Sequence, residues 1–133
     1  VGHGSMNVWG KDKMFQISDS DALNNSKLPF MMTMTCLVGY FHHPTATSMG
    51  EELLLNPKGG IVAGLMPTSE SLASDQTELA TNVYGYLFGD APTVGEAIML
   101  GKRDLSLDRN LMQDLIETFT LIGDPALVLQ KPG

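Results

Sequence analysis

Pro29-Phe30-Met31-Met32-Thr33-Met34-Thr35-Cys36 is the stretch on which the fold turns. It carries no charge, which suits a strand covered on both faces, as in a parallel sheet. It is too short for a buried helix. At its far end it delivers Cys36, the single cysteine of the chain. The chain opens on a second short stretch, Val1-Gly2-His3-Gly4-Ser5, which reads as the last residues of a strand followed by an imidazole between glycines. A thiol and a base, each at the tip of a strand, are the minimum for a cysteine nucleophile.

Outward from this pair, residues 6–28 are polar and broken by Gly10, Lys11, Asp12 and Lys13. Ser18-Asp19-Ser20-Asp21 offers N-cap oxygens for a short helix through about Asn25. Downstream, Leu37 to Pro44 is a loop punctuated by Gly39 and Pro44. Ser48-Met49-Gly50-Glu51 matches a capping box, opening a short helix that ends near Asn56-Pro57. Ile61-Val62-Ala63-Gly64-Leu65-Met66 is a second apolar run of strand length. Pro67 to Ser71 leads into a longer amphipathic helix, with Leu72, Leu79, Val83 and Leu87 on its buried face and Gln76 as a polar gap. Gly89 to Pro92 ends it. Thr93-Val94-Gly95-Glu96 is another capping box, for a helix through Lys102, and a further helix from about Asp108 buries Leu111, Met112, Leu115 and Ile116. Phe119-Thr120-Leu121-Ile122 reads as a strand, Gly123-Asp124-Pro125 as a turn, and Ala126-Leu127-Val128-Leu129 as an extended continuation.

Strands alternating with helices indicate an α/β layered fold with a mainly parallel sheet. Three strands and a stub are few for a sheet covered on both faces. Residues 1–133 are therefore expected to form a single partial domain, incomplete at its N-terminus and completed by missing strands or a partner chain. The first residue is Val and no signal-peptide pattern follows it, consistent with a fragment or processed piece; a tag remnant in Gly-His-Gly-Ser-Met is the bland alternative.

Hydrophobic residues make up 43% of the chain, enough for a packed core rather than disorder. Fifteen acidic residues against eight basic ones give a net charge of -7, which argues against nucleic acid as a partner. No stretch approaches the ~20 apolar residues of a membrane span. A single cysteine excludes an intrachain disulfide and a Cys-rich zinc site. Nothing calls for a cofactor.

Sites in open α/β sheets gather at the carboxyl ends of strands, where both His3 and Cys36 fall. A free thiol titrates near ~8.5, and a neighbouring imidazolium lowers this to about 3.5–7.5. The imidazole can take the thiol proton and later hand it to a leaving amine. Gly4 lets the backbone approach a substrate closely, and the N–H groups of Gly4 and Cys36 could form an oxyanion hole. The bland readings stand beside this. A free cysteine often serves as a small buried hydrophobe, and Met31, Met32 and Met34 suit core filling. His42-His43 lacks an acidic neighbour to complete a metal set. Asp124-Pro125 is explained as a turn. Ser5 lacks the glycine elbow of serine hydrolases, and Trp9 either roofs the cleft or packs.

The wider pattern is more specific. Gly2-His3-Gly4-Ser5, Trp9-Gly10, Leu28-Pro29, Thr35-Cys36 with Gly39 and Phe41, and Ser48 with Gly50-Glu51 stand in order. Gly59-Gly60-Ile61-Val62-Ala63, Gly95-Glu96-Ala97 and Leu121-Ile122-Gly123-Asp124-Pro125-Ala126-Leu127 continue the set. Together they resemble the gingipain family of cysteine peptidases over almost the whole chain. The resemblance implies a caspase-like three-layer α/β sandwich and a secreted or cell-surface endopeptidase acting on protein or peptide substrates. It also implies Cys36 as nucleophile, His3 as general base and acid, and the Gly4 and Cys36 amides as oxyanion donors. Met66, Pro67, Thr68 and Ser69 would line the pocket for the side chain before the scissile bond. The family carries further strands before the histidine motif, which bring part of that pocket and a carboxylate orienting the histidine; these lie outside this sequence. The acidic group that would select Arg or Lys is not assignable from the sequence. A non-catalytic binding or assembly module on the same fold is the alternative.

Overall fold

A computed structural model describes residues 2–108 and 113–130. Val1, Leu111 and Met112, named above, lie outside these residues. The strands are β1 (Val8–Trp9), β2 (Phe15–Gln16), β3 (Phe30–Met32), β4 (Ala63–Pro67) and β5 (Phe119–Ile122). The helices are α1 (Met49–Leu55), α2 (Ala73–Phe88), α3 (Val94–Asp108) and α4 (Gln113–Thr118), and a 3-10 helix spans Ile17–Ala22.

The main sheet has the order β3-β4-β5. β3 runs parallel to β4, Phe30 facing Ala63 and Met32 facing Leu65. β5 runs antiparallel to it, Phe119 facing Pro67 and Ile122 facing Gly64. The difference follows from the crossovers. One helix, α1, carries the chain from β3 back to the start of β4. The packed pair α2 and α3 returns it to the end where β4 finished, so β5 enters there and runs the other way. The result is an α/β fold with a partly parallel sheet.

All five residues of β4 are buried, because each face of the sheet is covered. Leu65 joins one core with Leu79, Val83, Leu105, Leu115 and Phe119. Met66, its neighbour in sequence, joins the other core with Val38, Met49, Leu53 and Ile61. Alternation along a strand sends successive side chains to opposite layers.

Several expectations are met at the residue level. The α1 capping box is reciprocal: the Ser48 hydroxyl accepts from the Glu51 N–H at 3.4 Å and the Glu51 carboxylate accepts from the Ser48 N–H at 2.9 Å. Thr93 accepts from the Glu96 N–H at 3.2 Å as α3 begins.

Others are revised. The helix expected near 18–25 is the 3-10 turn, held by Asp19 accepting from the Gln16 N–H at 2.7 Å. The β1–β2 hairpin was hidden because two-residue strands carry no readable alternation; its turn uses Gly10 and Lys13 at positive φ. α3 continues to Asp108, further than Lys102. Residues 126–129 form no strand; the carbonyls of Leu127 and Pro125 accept from the Val94 and Gly95 N–H groups, each at 2.9 Å, and so cap α3. Leu72 and Gln76 exchange their expected roles. Leu72 precedes the first turn of α2 and is 70% exposed, while Gln76 is 1% exposed.

Two close approaches hold the layers in place. Gly101 of α3 lies against Val83 of α2, where an added Cβ would stand 2.6 Å from Val83 Cγ2 and 2.9 Å from its backbone nitrogen. The N-terminal segment docks on the extension of β3: the Gly2 N–H donates to the Met34 carbonyl at 3.0 Å. Gly4 then presses on the next residue, and a Cβ there would stand 2.3 Å from Thr35 Oγ1 and 3.3 Å from the Cys36 carbonyl oxygen.

These contacts set two tests. Gly101→Ala is expected to destabilise by about 1–3 kcal/mol through overpacking, outweighing the ~1 kcal/mol gained in helix propensity, as read by urea unfolding. Gly4→Ala is expected to cost a similar amount. Combined with Thr35→Ala it should show a favourable coupling of about 1 kcal/mol or more in a double-mutant cycle; strict additivity would refute the contact.

Candidate active site

The docking of Gly2 to Gly4 on the β3 extension brings His3 beside the end of that extension. His3, Gly4 and Cys36 line one cavity of about 670 Å³. His3 is exposed and Cys36 is half-buried, so solvent reaches both from this side. The antiparallel bridge between Gly4 and Trp9 steadies the histidine segment, with the Gly10 N–H donating to the His3 carbonyl at 2.9 Å and the Ser5 N–H to Val8 at 2.8 Å. Trp9 packs against the second core.

Cys36 sits where the β3 extension turns away from the sheet. The next residue, Leu37, has φ 58°, a left-handed backbone that a branched aliphatic side chain rarely adopts. The thiol donates to the Ser71 carbonyl at 3.9 Å. Among the described residues no backbone acceptor engages the Gly4 or Cys36 N–H. These two amides therefore remain able to donate to a bound oxygen.

Acidic side chains share this lining. Glu70, Asp75 and Asp114 line the same cavity. Sequence reasoning missed all three. Glu70 and Asp75 read only as residues leading into and starting a helix, and Asp114 arrives from α4, with no local pattern to announce it.

A second cavity of about 890 Å³ shares Glu70 as a wall and is lined by Thr68, Ser69, Tyr40 and His42. Of the four residues expected to form a substrate pocket, Thr68 and Ser69 line this cavity. Met66 is fully buried in the core, filling the space left by Gly39, Gly50 and Gly64, and Pro67 is buried in the strand. Both point inward because β4 is covered on both faces.

His42 and His43 are held by other contacts. His42 meets the Tyr40 ring at a centroid distance of 4.1 Å, and His43 Nδ1 accepts from the Thr45 and Ala46 N–H groups at 3.3 and 3.0 Å. No group of three metal-ligating side chains comes together among the described residues. Asp124 Oδ1 accepts from the Ala126 N–H at 2.8 Å, the local turn bond its sequence suggests. No described helix is long and apolar enough to cross a membrane.

Three solved structures share this architecture. The complex of the pro- and mature domains of Porphyromonas gingivalis RgpB superposes with a TM-score of 0.88 at 23% identity, covering 98% of this chain and 33% of that one. The Arg specific cysteine proteinase gingipain R gives 0.80 at 24% identity, covering 98% and 32%. A further protease gives 0.82 at 15% identity, covering 96% and 34%. The chain thus spans about a third of the length of the solved chains it matches. A comparison with curated proteins gave no match. The model of peptidase family C25 matches residues 1–130, so the chain belongs to that family of cysteine peptidases.

Proposed function

We propose that this chain carries the nucleophile and the general base of a gingipain-like cysteine endopeptidase, Cys36 and His3. The observation that carries the reading is their meeting with Gly4 in one solvent-open cavity, although Cys36 follows His3 by 33 positions in the sequence. His3 takes the proton of Cys36, and the thiolate attacks the scissile carbonyl. The developing oxyanion accepts from the Gly4 and Cys36 N–H groups. His3 then returns the proton to the leaving amine, and water hydrolyses the thioester by the reverse proton path.

Thr68 and Ser69 border the substrate in the adjoining cavity. Glu70, Asp75 and Asp114 give the site a negative field that favours a cationic side chain, in keeping with the arginine specificity named for gingipain R. Segments beyond this chain complete the cleft, and the protein works outside the cell or at its surface, as the family resemblance implies.

In the natural full-length protein, Cys36→Ala should abolish cleavage of fluorogenic peptides by at least about 10³-fold. His3→Ala should lower kcat/KM by about 10²–10⁴-fold and slow alkylation of Cys36 at neutral pH. Alkylation indifferent to His3, with no cleavage across a peptide panel, would refute the assignment. Asp75→Lys should reduce kcat/KM for a peptide with Arg before the scissile bond by about tenfold relative to one with Ala there. An unchanged ratio would exclude Asp75 from selectivity.

A further inference from the structure

Gln76 is a buried polar side chain that the proposed mechanism does not use. It is 1% exposed, one turn into α2. Its Nε2 donates to the Thr35 carbonyl at 2.9 Å, to Ser71 Oγ at 2.9 Å and to the Ser71 carbonyl at 3.3 Å. Two backbone carbonyls against one end of the amide fix which end is nitrogen, since an oxygen there would face them with no proton between. Its Oε1 is then left buried without a partner. Buried acceptors without a partner are uncommon, and a methionine of similar size would fill the space without one. The contacts of Nε2 are what distinguish glutamine at this position.

Both backbone groups it holds are linked to Cys36, one through a shared peptide unit and one through the thiol. The Thr35 carbonyl and the Cys36 N–H are the two ends of one peptide unit, which is planar and trans. Anchoring the carbonyl toward Gln76 aims the Cys36 N–H the opposite way. The Ser71 carbonyl is the group that accepts from the Cys36 thiol. One amide nitrogen therefore sets the direction of an oxyanion donor and also braces the resting partner of the sulfur.

We propose that Gln76 is a positioning residue for Cys36, acting by locking the Thr35–Cys36 peptide so that its N–H meets the oxyanion. The inference rests on the reading of Cys36 as nucleophile. Its effect is felt in the transition state, where the substrate carbonyl oxygen becomes an anion, and little in substrate binding or in displacement at a saturated carbon.

The test uses the natural full-length protein, parent and Gln76→Met, well below both unfolding temperatures. Gln76→Met is expected to lower kcat by about 10–100-fold with KM within about twofold. It should weaken inhibition by a peptide aldehyde, whose hemithioacetal oxygen occupies the oxyanion position, by the same factor. Alkylation of Cys36 by iodoacetamide, which develops no oxyanion, should stay within about twofold. An active parent whose Gln76→Met variant keeps full kcat, or loses alkylation in parallel with kcat, overturns the positioning role. A parent that neither cleaves peptides nor depends on His3 for alkylation overturns the underlying reading instead. Should Gln76→Met fail to fold, Gln76→Glu supplies the second measurement. Its protonated carboxyl can still donate to the Thr35 carbonyl and its ionised form cannot, so kcat relative to the parent should fall as pH rises from 5 to 8. A flat ratio overturns the proposal.

Discussion

The contact between Gly4 and Thr35 is the constraint on which the site depends. The approach is so close that only a residue without a Cβ fits at position 4. Together with the Gly2 N–H bond to the Met34 carbonyl, it fixes the register between the histidine segment and the end of the β3 extension. Register in such a contact is all-or-none: a slip of one residue would turn His3 away from the cavity that Cys36 lines. The imidazole and the thiol need no direct link between their own side chains to share a cavity, since the backbones that carry them are already locked.

That lock needs a rigid support, which β4 supplies. Buried on both faces, it pairs with β3 on one side and β5 on the other, and its side chains anchor both cores. Beyond the ladder the β3 extension keeps contact through the Thr33 N–H bond to the Leu65 carbonyl at 3.1 Å, then bends away at Leu37. The nucleophile candidate thus stands at the point where regular pairing stops, on a strand that is itself immobilised. Sites placed at the ends of fixed elements combine access with small positional error.

Polar groups under the site divide into two kinds. On the solvent side, Glu70, Asp75 and Asp114 contribute charge without being buried in pairs. In the interior, Thr33, Thr35 and Gln76 are buried, each with a side-chain oxygen lacking a partner. A hydrophobic replacement set would pack there at lower cost, and Gln76 meets Thr35 at the peptide unit that leads into Cys36, where the direction of a single peptide unit matters.

Much of the fold was legible in local pattern. The apolar runs around Phe30 and Leu65, the capping box at Ser48 and Glu51, and the turn at Gly123-Asp124-Pro125 each announce themselves through spacing within a few residues. His3, Gly4 and Cys36 were legible as residue types in a family-like order. What spacing within one segment could not carry was any relation between segments. Leu72 and Gln76 illustrate it: helical periodicity favours burying the leucine, but the glutamine finds the Thr35 carbonyl at a distant strand end, and that partner reverses the preference. The same holds for Met66, whose place in a doubly covered strand turns it into the core, and for Asp114, delivered to the cavity by the return of α3 and α4. The sequence determined the chemical groups and the local elements, because capping, turn and strand preferences act over a few bonds. Tertiary structure alone decided which groups share a cavity, because close backbone approach and buried hydrogen bonding depend on surfaces that meet only when the layers pack.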